Sequence, residues 1–466
     1  MRACSARRAL SSVTLHWERG WKPKGDRMPR QSRHREVGGH RIMNIVSRLV
    51  ASLAIAAMVV GACTAAPEGS KGPVKLVVLT HWGDQALLAV LQPIFDEYQK
   101  QNPNVKIEHQ SVAFDDLLKR ITTGRIGGSA PDIYHFYNLW MPDFVSSDLL
   151  QTPPGDVIAD IKKGYSQSSV DGSSYRNQVW GYPTEVNTYQ LIYNKKLLQE
   201  AGSTKPPATW DELRSVATKA TKKGADGKIT QAGFLLLKGW DSGVVHPWSS
   251  LLWSNNGDYV AKDNSKVRFN EKPGVETTQF EVDLIKSGAA DLGFTMDDFA
   301  AGKVAMTIMA NWWGAALKKA LPDNVGVAPI PTNGGAQSST LQYNWLWGVD
   351  KGTKQGQEAW KFLTWLNGPQ AGSSSPMGKY LTTALNAIPA RVSDQQANAS
   401  LLGDAFVKPF VDSLKTSRSE PIIPGAQEIK TVLQKQIEAA WFGQKSPKDA
   451  LDTAATEANR ILGEKR

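Results

Sequence analysis

Cysteine is almost absent: the 466-residue chain holds two, Cys4 and Cys63. This excludes a disulfide framework in the body, a cysteine-built metal site and a thiol nucleophile. No G-x-x-x-x-G-K-[ST] loop is present to cradle nucleotide phosphates, and no G-x-S-x-G elbow to present a serine. His, Asp and Glu do not recur at metal-ligand spacing, and heptads and internal repeats are lacking. The apolar run Leu49 to Gly61 (LVASLAIAAMVVG) is too short to span a bilayer comfortably. A basic surplus is missing where a nucleic-acid face would need it. The net charge is +10, yet residues 1–62 alone hold 12 Lys/Arg against 3 Asp/Glu. From residue 63 onward 42 basic face 41 acidic residues, a net of +1, so nucleic acid is not an expected partner.

What the first 73 residues do have is a leader. Arg48, the short apolar run and the small residues after it form a secretory signal. Val60-Gly61-Ala62-Cys63 resembles the lipobox of bacterial lipoproteins, which implies cleavage before Cys63 and lipid attached to it. Residues 64–73 (TAAPEGSKGP) suit a flexible tether. Residues 1–42 are Arg-rich without apolar periodicity, and Met43 is the expected true start; a long basic segment ahead of the signal is the alternative.

The body alternates. Lys75 to Thr80 reads as a strand, followed by a helix capped by Asp84 with Leu87, Leu88, Leu91, Phe95 and Tyr98 on one face. Val105 to Val112 reads as a second strand, and a helix through Leu117, Leu118 and Ile121 stops near Gly127 and Gly128. Ile133 to Phe136 is a third strand, so a parallel sheet with covering helices is predicted. Gly181-Tyr182-Pro183 reads as a turn and Val186 to Tyr193 as a strand rich in β-branched and aromatic residues. Lys195 to Ala201 is a helical turn stopped by Gly202; Thr209, with Glu212 three residues on, has capping-box spacing.

The order YNKKLLQEAG then PPATWDEL, with G-x-A-P-D-I at Gly128 to Ile133 and F-x-x-G-K-x-A-M at Phe299 to Met306, resembles the extracellular sugar-binding proteins of ABC importers, relatives of maltose-binding protein. The resemblance spans roughly residues 74–466 and implies an α/β fold of the type II periplasmic-binding kind, two lobes each with a sheet flanked by helices, joined by crossing hinge strands. It places lobe one at 74–184 plus 335–388 and lobe two at 185–334 plus 389–466. Trp345 to Val349 would be the return strand and Asn386 to Arg391 the third crossing; two helices after Pro421 would close lobe two.

Fourteen of the 16 tryptophans follow Cys63, and seven sit where loops should follow strand ends: Trp82, Trp140, Trp240, Trp248, Trp312, Trp313 and Trp345. An indole face takes the C–H side of a sugar ring, while carboxylates and amides take its hydroxyls. Polar neighbours accompany them: Asp84 and Gln85, Asn138, Asp241, Asn311 and Asn344. The adjacent pair Trp312-Trp313 cannot aim both rings one way on an extended segment, so one of the two is expected to pack. Trp210, Trp360, Trp365 and Trp441 fall on helices at apolar spacing and are expected in the core; Trp180, Trp253 and Trp347 lean the same way. In the resembled architecture Glu185 and Asn187 line the cleft and Arg391 follows the third crossing, although a charged hinge group can equally form an interlobe salt bridge. Gln427, His81 and His246 are lesser candidates.

The expectation is a lipid-anchored, monomeric sugar-binding component of an ABC import system, held to the outer face of the cell membrane, with no catalysis, cofactor, metal or nucleic acid. Its partners would be the membrane permease and a small sugar, which the tryptophans tilt toward a di- or oligosaccharide; a monosaccharide, a related polyol or glycerol phosphate stays open as the ligand. The alternative is a cell-surface glycoside hydrolase with a carboxylate pair in the cleft.

Overall fold

Three strands open the body: β1 (Val74–Thr80), β2 (Val105–Ser111) and β3 (Ile133–Tyr137). Helix α1 (Gln85–Gln101) joins the first two and α2 (Phe114–Ile126) the next. Both connections cross over, so β1 pairs in parallel with β2 on one side and β3 on the other. The Asp84 side chain caps α1 by accepting from the Ala86 backbone N–H at 2.7 Å, and Leu91, Phe95 and Tyr98 form its buried stripe. The coordinates, a computed structural model, describe residues 72–370 and 374–466. The extension, signal, Cys63 and most of the tether lie outside the described residues.

The next strand departs from expectation. Gly181-Tyr182-Pro183 is not a free turn: β4 runs unbroken from Tyr182 to Asn194, and twelve of its thirteen residues are buried. Proline is tolerated there because Pro183 meets its cross-strand partner Leu346 at a register shift, where the ladder of hydrogen bonds is already irregular. Beyond β4 the local signals hold. Gly202 takes φ +78° behind the short helix Lys195–Glu200. Thr209 accepts from the Glu212 N–H, while the Glu212 carboxylate accepts from Ala208 N–H at 2.7 Å, one residue earlier than a strict capping box would have it.

Besides a two-stranded hairpin of Ser174–Tyr175 with Gln178–Val179 and the short edge strand Lys222–Lys223, the remaining strands are β5 (Ile229–Leu235), β6 (Val304–Ala310), β7 (Val325–Ala328), β8 (Thr340–Val349), β9 (Ile388–Pro389) and β10 (Ser417–Ser419). Spatial order is β2-β1-β3-β8-β4-β6-β5, with Lys222–Lys223 at the far edge; β7 and β9 pair with β4, and β10 pairs with β8. The return strand is thus longer than the predicted Trp345 to Val349, and the third crossing is a two-residue strand against Glu185 and Val186. Strands β4 and β8 lie at the middle, each antiparallel to its neighbours on the main path. Helix α3 (Asp241–Trp253) follows β5, and α4 (Ala426–Trp441) and α5 (Pro447–Glu464) end the chain as a packed pair.

Two apolar clusters hold this frame. One gathers β1, β2, α1 and the helix Gly356–Asn367; the larger gathers β5, β6, α3, α4 and α5 together with the ends of β3 and β8. Trp210 stacks on Phe280 at 4.6 Å, Trp360 donates to Gln151 Oε1 at 2.7 Å and Trp441 to Glu281 Oε2 at 3.0 Å. Trp253 and Trp347 are likewise core, as expected, while Trp365 and Trp180 are only partly covered. Trp248, expected in a loop, lies instead in the middle of α3, fully buried, with its indole N–H on Thr278 Oγ1 at 2.9 Å. Pro247 obscured the helix, since proline inside a helix costs about 3 kcal/mol and is a poor helix signal; burial of nearly every α3 residue outweighs it.

Candidate functional site

Where β1, β3, β5 and β6 end, the chain turns inward, and the residues after those ends surround a cavity of about 360 Å³. That is where open α/β sheets place ligands, and the volume falls within the ordinary range for small-molecule sites. The lining is mostly aromatic. His81 and Trp82 follow β1, Tyr137 ends β3, Trp240 follows β5 and Trp312 follows β6.

The middle strands supply the rest by the period of two. On β4 Glu185 and Asn187 face the cavity, and on β8 Tyr343 and Trp345 do so. The residue between the latter two, Asn344, therefore turns away: its Nδ2 donates to the Glu185 backbone carbonyl at 3.4 Å and its own N–H to Asn138 Oδ1.

One wall is a stack of rings. His81 lies 4.4 Å from Trp345, His135 stacks on Trp345 at 4.8 Å and 17°, and Trp82 lies 4.2 Å from His135. Burial lowers His81 well below the usual imidazole range, and the nearby His135 lowers it further. Burial also lowers His135, with Glu185 at 3.6 Å opposing the shift. Both rings are neutral at pH 7, and the Nδ1 atoms of both have no hydrogen-bond partner among the described residues.

The opposite wall is wired. His246 Nε2 meets Lys430 Nζ at 2.7 Å and Tyr137 OH at 3.1 Å, while Nδ1 meets Tyr189 OH at 2.9 Å. An ammonium can only donate, so toward Lys430 the Nε2 atom acts as acceptor, while Glu420 Oε1 lies 3.1 Å from the same nitrogen. Burial, then Lys430, lowers its pKa well below the ordinary value. Lys430 is 1 % exposed; it also donates to Ser242 Oγ at 2.7 Å and lies 3.4 Å from Glu420 and 3.9 Å from Asp241. Burial raises Glu420 above the usual carboxylate range, against the pull of Lys430.

Eight of the residues singled out from sequence thus meet at one cavity: Trp82, Glu185, Asn187, Trp240, Trp312 and Trp345, with the lesser candidates His81 and His246. The others are elsewhere, each for a local reason. Asp84 and Gln85 are exposed at the start of α1, where Asp84 is occupied as the cap. Asn138 is buried behind the wall and donates to Gly172 O; Asn311 accepts from Thr188 N–H at 3.0 Å. Trp313 packs on Phe299 at 5.3 Å, so it is the packing member of its pair. Trp140 donates to Gln427 Oε1 at 2.9 Å, and Gln427 donates to Asp241 Oδ2 at 2.6 Å, a chain just outside the lining. Arg391 pairs with Asp160 and lies over the Tyr165 ring at 4.8 Å, which is the salt-bridge outcome rather than a cavity one.

Sequence reasoning left out Phe114, Tyr137, Ser242 and Tyr343 and ranked His81 and His246 low. Tyr137 ends a fully buried strand and Tyr343 belongs to another, so each read as core; only the period of two beside Trp345 could have flagged Tyr343. Glu185 is the one carboxylate among the lining residues. A glycosidase needs two.

The sequence profile of the bacterial extracellular solute-binding proteins matches residues 83–373. The chain belongs to that family. As a solute-binding protein it is a binder rather than an enzyme, and family membership implies export. The maltodextrin-binding protein MdxE of Bacillus subtilis is 26% identical over 447 residues, covering 91% of this chain and 98% of that one. The sn-glycerol-3-phosphate-binding periplasmic protein UgpB of Salmonella typhimurium is 24% identical over 400 residues, covering 78% and 87%. Among solved structures, the GacH receptor of Streptomyces glaucescens, studied unliganded and with acarbose, superposes with a TM-score of 0.73 at 22% identity, covering 84% of this chain and all of that one. The likeness shows the two-lobed type II fold.

Proposed function

We propose that this solute-binding protein captures a carbohydrate in the aromatic cavity and hands it to an ABC permease. The observation that carries the reading is the lining itself: indole and phenol faces from Trp82, Trp240, Trp312, Trp345 and Tyr343, with a few polar groups, Glu185 and Asn187 above all, fixed on the central strand. Flat apolar faces suit C–H surfaces of sugar rings, and the sparse fixed polar groups suit their hydroxyls. A relative named for maltodextrin, and structural neighbours solved with mannobiose or mannotriose bound, support the class.

The lobes in this reading are 74–184 plus 335–388 and 185–334 plus 389–466; β4, the segment leading into β8, and β9 connect them, and ligand bridging both shifts the population toward the closed form. The protein acts as a monomer, anchored through lipid on Cys63. A thermal-shift and tryptophan-fluorescence screen against neutral mono- and oligosaccharides tests the function: a ligand at 100 times its Kd adds about 2.7 kcal/mol to stability, and the cavity indoles report it. Silence across the panel refutes the carbohydrate. For the anchor, Cys63→Ala should move the protein from the membrane fraction to the soluble one.

A further inference from the structure

Relatives of this chain bind ligands of different charge, a maltodextrin in one and a glycerol phosphate in another, so the charge tolerance of the cavity has to come from its own atoms. Neither Lys nor Arg lines it. The nearest ammonium, Lys430, is buried behind Ser242 and His246 and already serves five groups: Ser242, His246, Tyr137, Glu420 and Asp241. The N-terminus of α3 opens on the cavity through Trp240 and Ser242, but its anion is built in, because Asp241 occupies the first turn. Arg391 is held by Asp160 and Tyr165.

Two acceptors wait on the central strand, across from the unpaired His81 Nδ1, which a neutral ring can offer as donor or acceptor. Asn187 is 2 % exposed and its Oδ1 has no partner among the described residues. Glu185 is 4 % exposed; one carboxylate oxygen takes Thr184 Oγ1, leaving the rest of its lone pairs for a visitor. A buried acceptor left unpaired costs about 1–3 kcal/mol, so the matching ligand brings O–H or N–H donors. A phosphate dianion brings only acceptors and a like charge.

Resting on the carbohydrate reading above, we infer that the cavity takes donor-rich ligands without negative charge and excludes phosphate esters, with Glu185 as the residue that sets this selectivity and Asn187 as its partner acceptor. Two neighbours fix Glu185 in place. Thr184 bonds its carboxylate, and Thr184 Oγ1 is itself held by His135 Nε2 at 2.9 Å.

The test is calorimetric titration of the full chain with matched probes: glucose, mannose, maltose and glycerol against glucose 6-phosphate, mannose 6-phosphate, maltose 6′-phosphate and sn-glycerol 3-phosphate. A neutral probe should bind at least about tenfold more tightly than its phosphate, since like-charge juxtaposition opposes the latter. In Glu185→Gln the neutral ligand should weaken by about tenfold and the gap to the phosphate should narrow. Asn187→Leu provides a second variant, in which neutral affinity falls and the gap stays. Equal or tighter phosphate binding overturns the inference and leaves the carbohydrate reading intact wherever the neutral probe also binds. A gap unchanged in folded Glu185→Gln removes Glu185 from the role. No binding by any probe overturns the carbohydrate reading, and this inference with it.

Discussion

On one side of the cavity two histidines stand in a pile of indoles with nitrogen atoms unpaired; on the other, a third histidine is tied to a lysine, two tyrosines and a glutamate. Burial is the first cause of the lowered pKa at both His81 and His246; the second is the neighbouring His135 at the one and Lys430 at the other. The stacked wall is held by ring-to-ring contacts, each of which can be lost without stranding a charge. The wired wall is a network in which each member satisfies another, so removing one leaves others unpaired.

The largest effect should therefore follow from cutting the wired side. Lys430→Met strands Glu420 and Asp241 beside a buried imidazole, and a broken buried ion pair costs about 3–5 kcal/mol. Urea denaturation would read this as a lower midpoint at an unchanged slope, and pairing the variant with Glu420→Gln should recover part of the loss. A Lys430→Met protein as stable as wild type would mean the two walls do not differ in this way.

A second contrast lies in acid. A buried histidine whose pKa is lowered on folding binds its proton more readily in the unfolded chain, so stability falls as pH drops below about 6.5, the ordinary imidazole value. Glu420, raised on folding, works in the opposite direction: its share is present at low pH and is lost as pH rises through its folded value. The wired wall thus carries two opposing slopes, while in the stacked wall only Glu185, next to His135, opposes the loss. Thermal melts between pH 5 and 8 should decline toward acid, and His81→Asn should flatten that limb more than His246→Asn does.

The smallest change in stability should come from the rim. Trp312 is half-buried and 6.1 Å from Trp240, so Trp312→Ala should shift stability by less than about 1 kcal/mol while weakening ligand about tenfold or more. A large stability loss with unchanged affinity would make Trp312 a packing residue like its neighbour Trp313.

The first three strands and their helices were legible because their signals are local: alternation, a cap at Asp84, glycines at stops. Tryptophan after a strand end also pointed to the cavity, through Trp82, Trp240 and Trp312. What stayed hidden depends on partners distant in sequence. Trp248 became core because α3 is buried on all sides, which no window around Pro247 reveals. Asn344 and Tyr343 exchange roles on a one-residue change of register, and the only mark in the sequence of which face of β8 turns inward is Trp345, two residues from Tyr343. Lys430 reads as an ordinary helix surface cation until α4 is laid against α3 and β3.

Strand β4 also sets a timetable. Each of its partners, β6, β7, β8 and β9, lies more than about a hundred residues downstream, and such distant pairings form slowly. During synthesis the thirteen residues from Tyr182 to Asn194 emerge with nothing to pair against until well over half the chain exists. A chain that crosses a membrane before it works gains from that delay: its central strand cannot lock while the rest is still in transit.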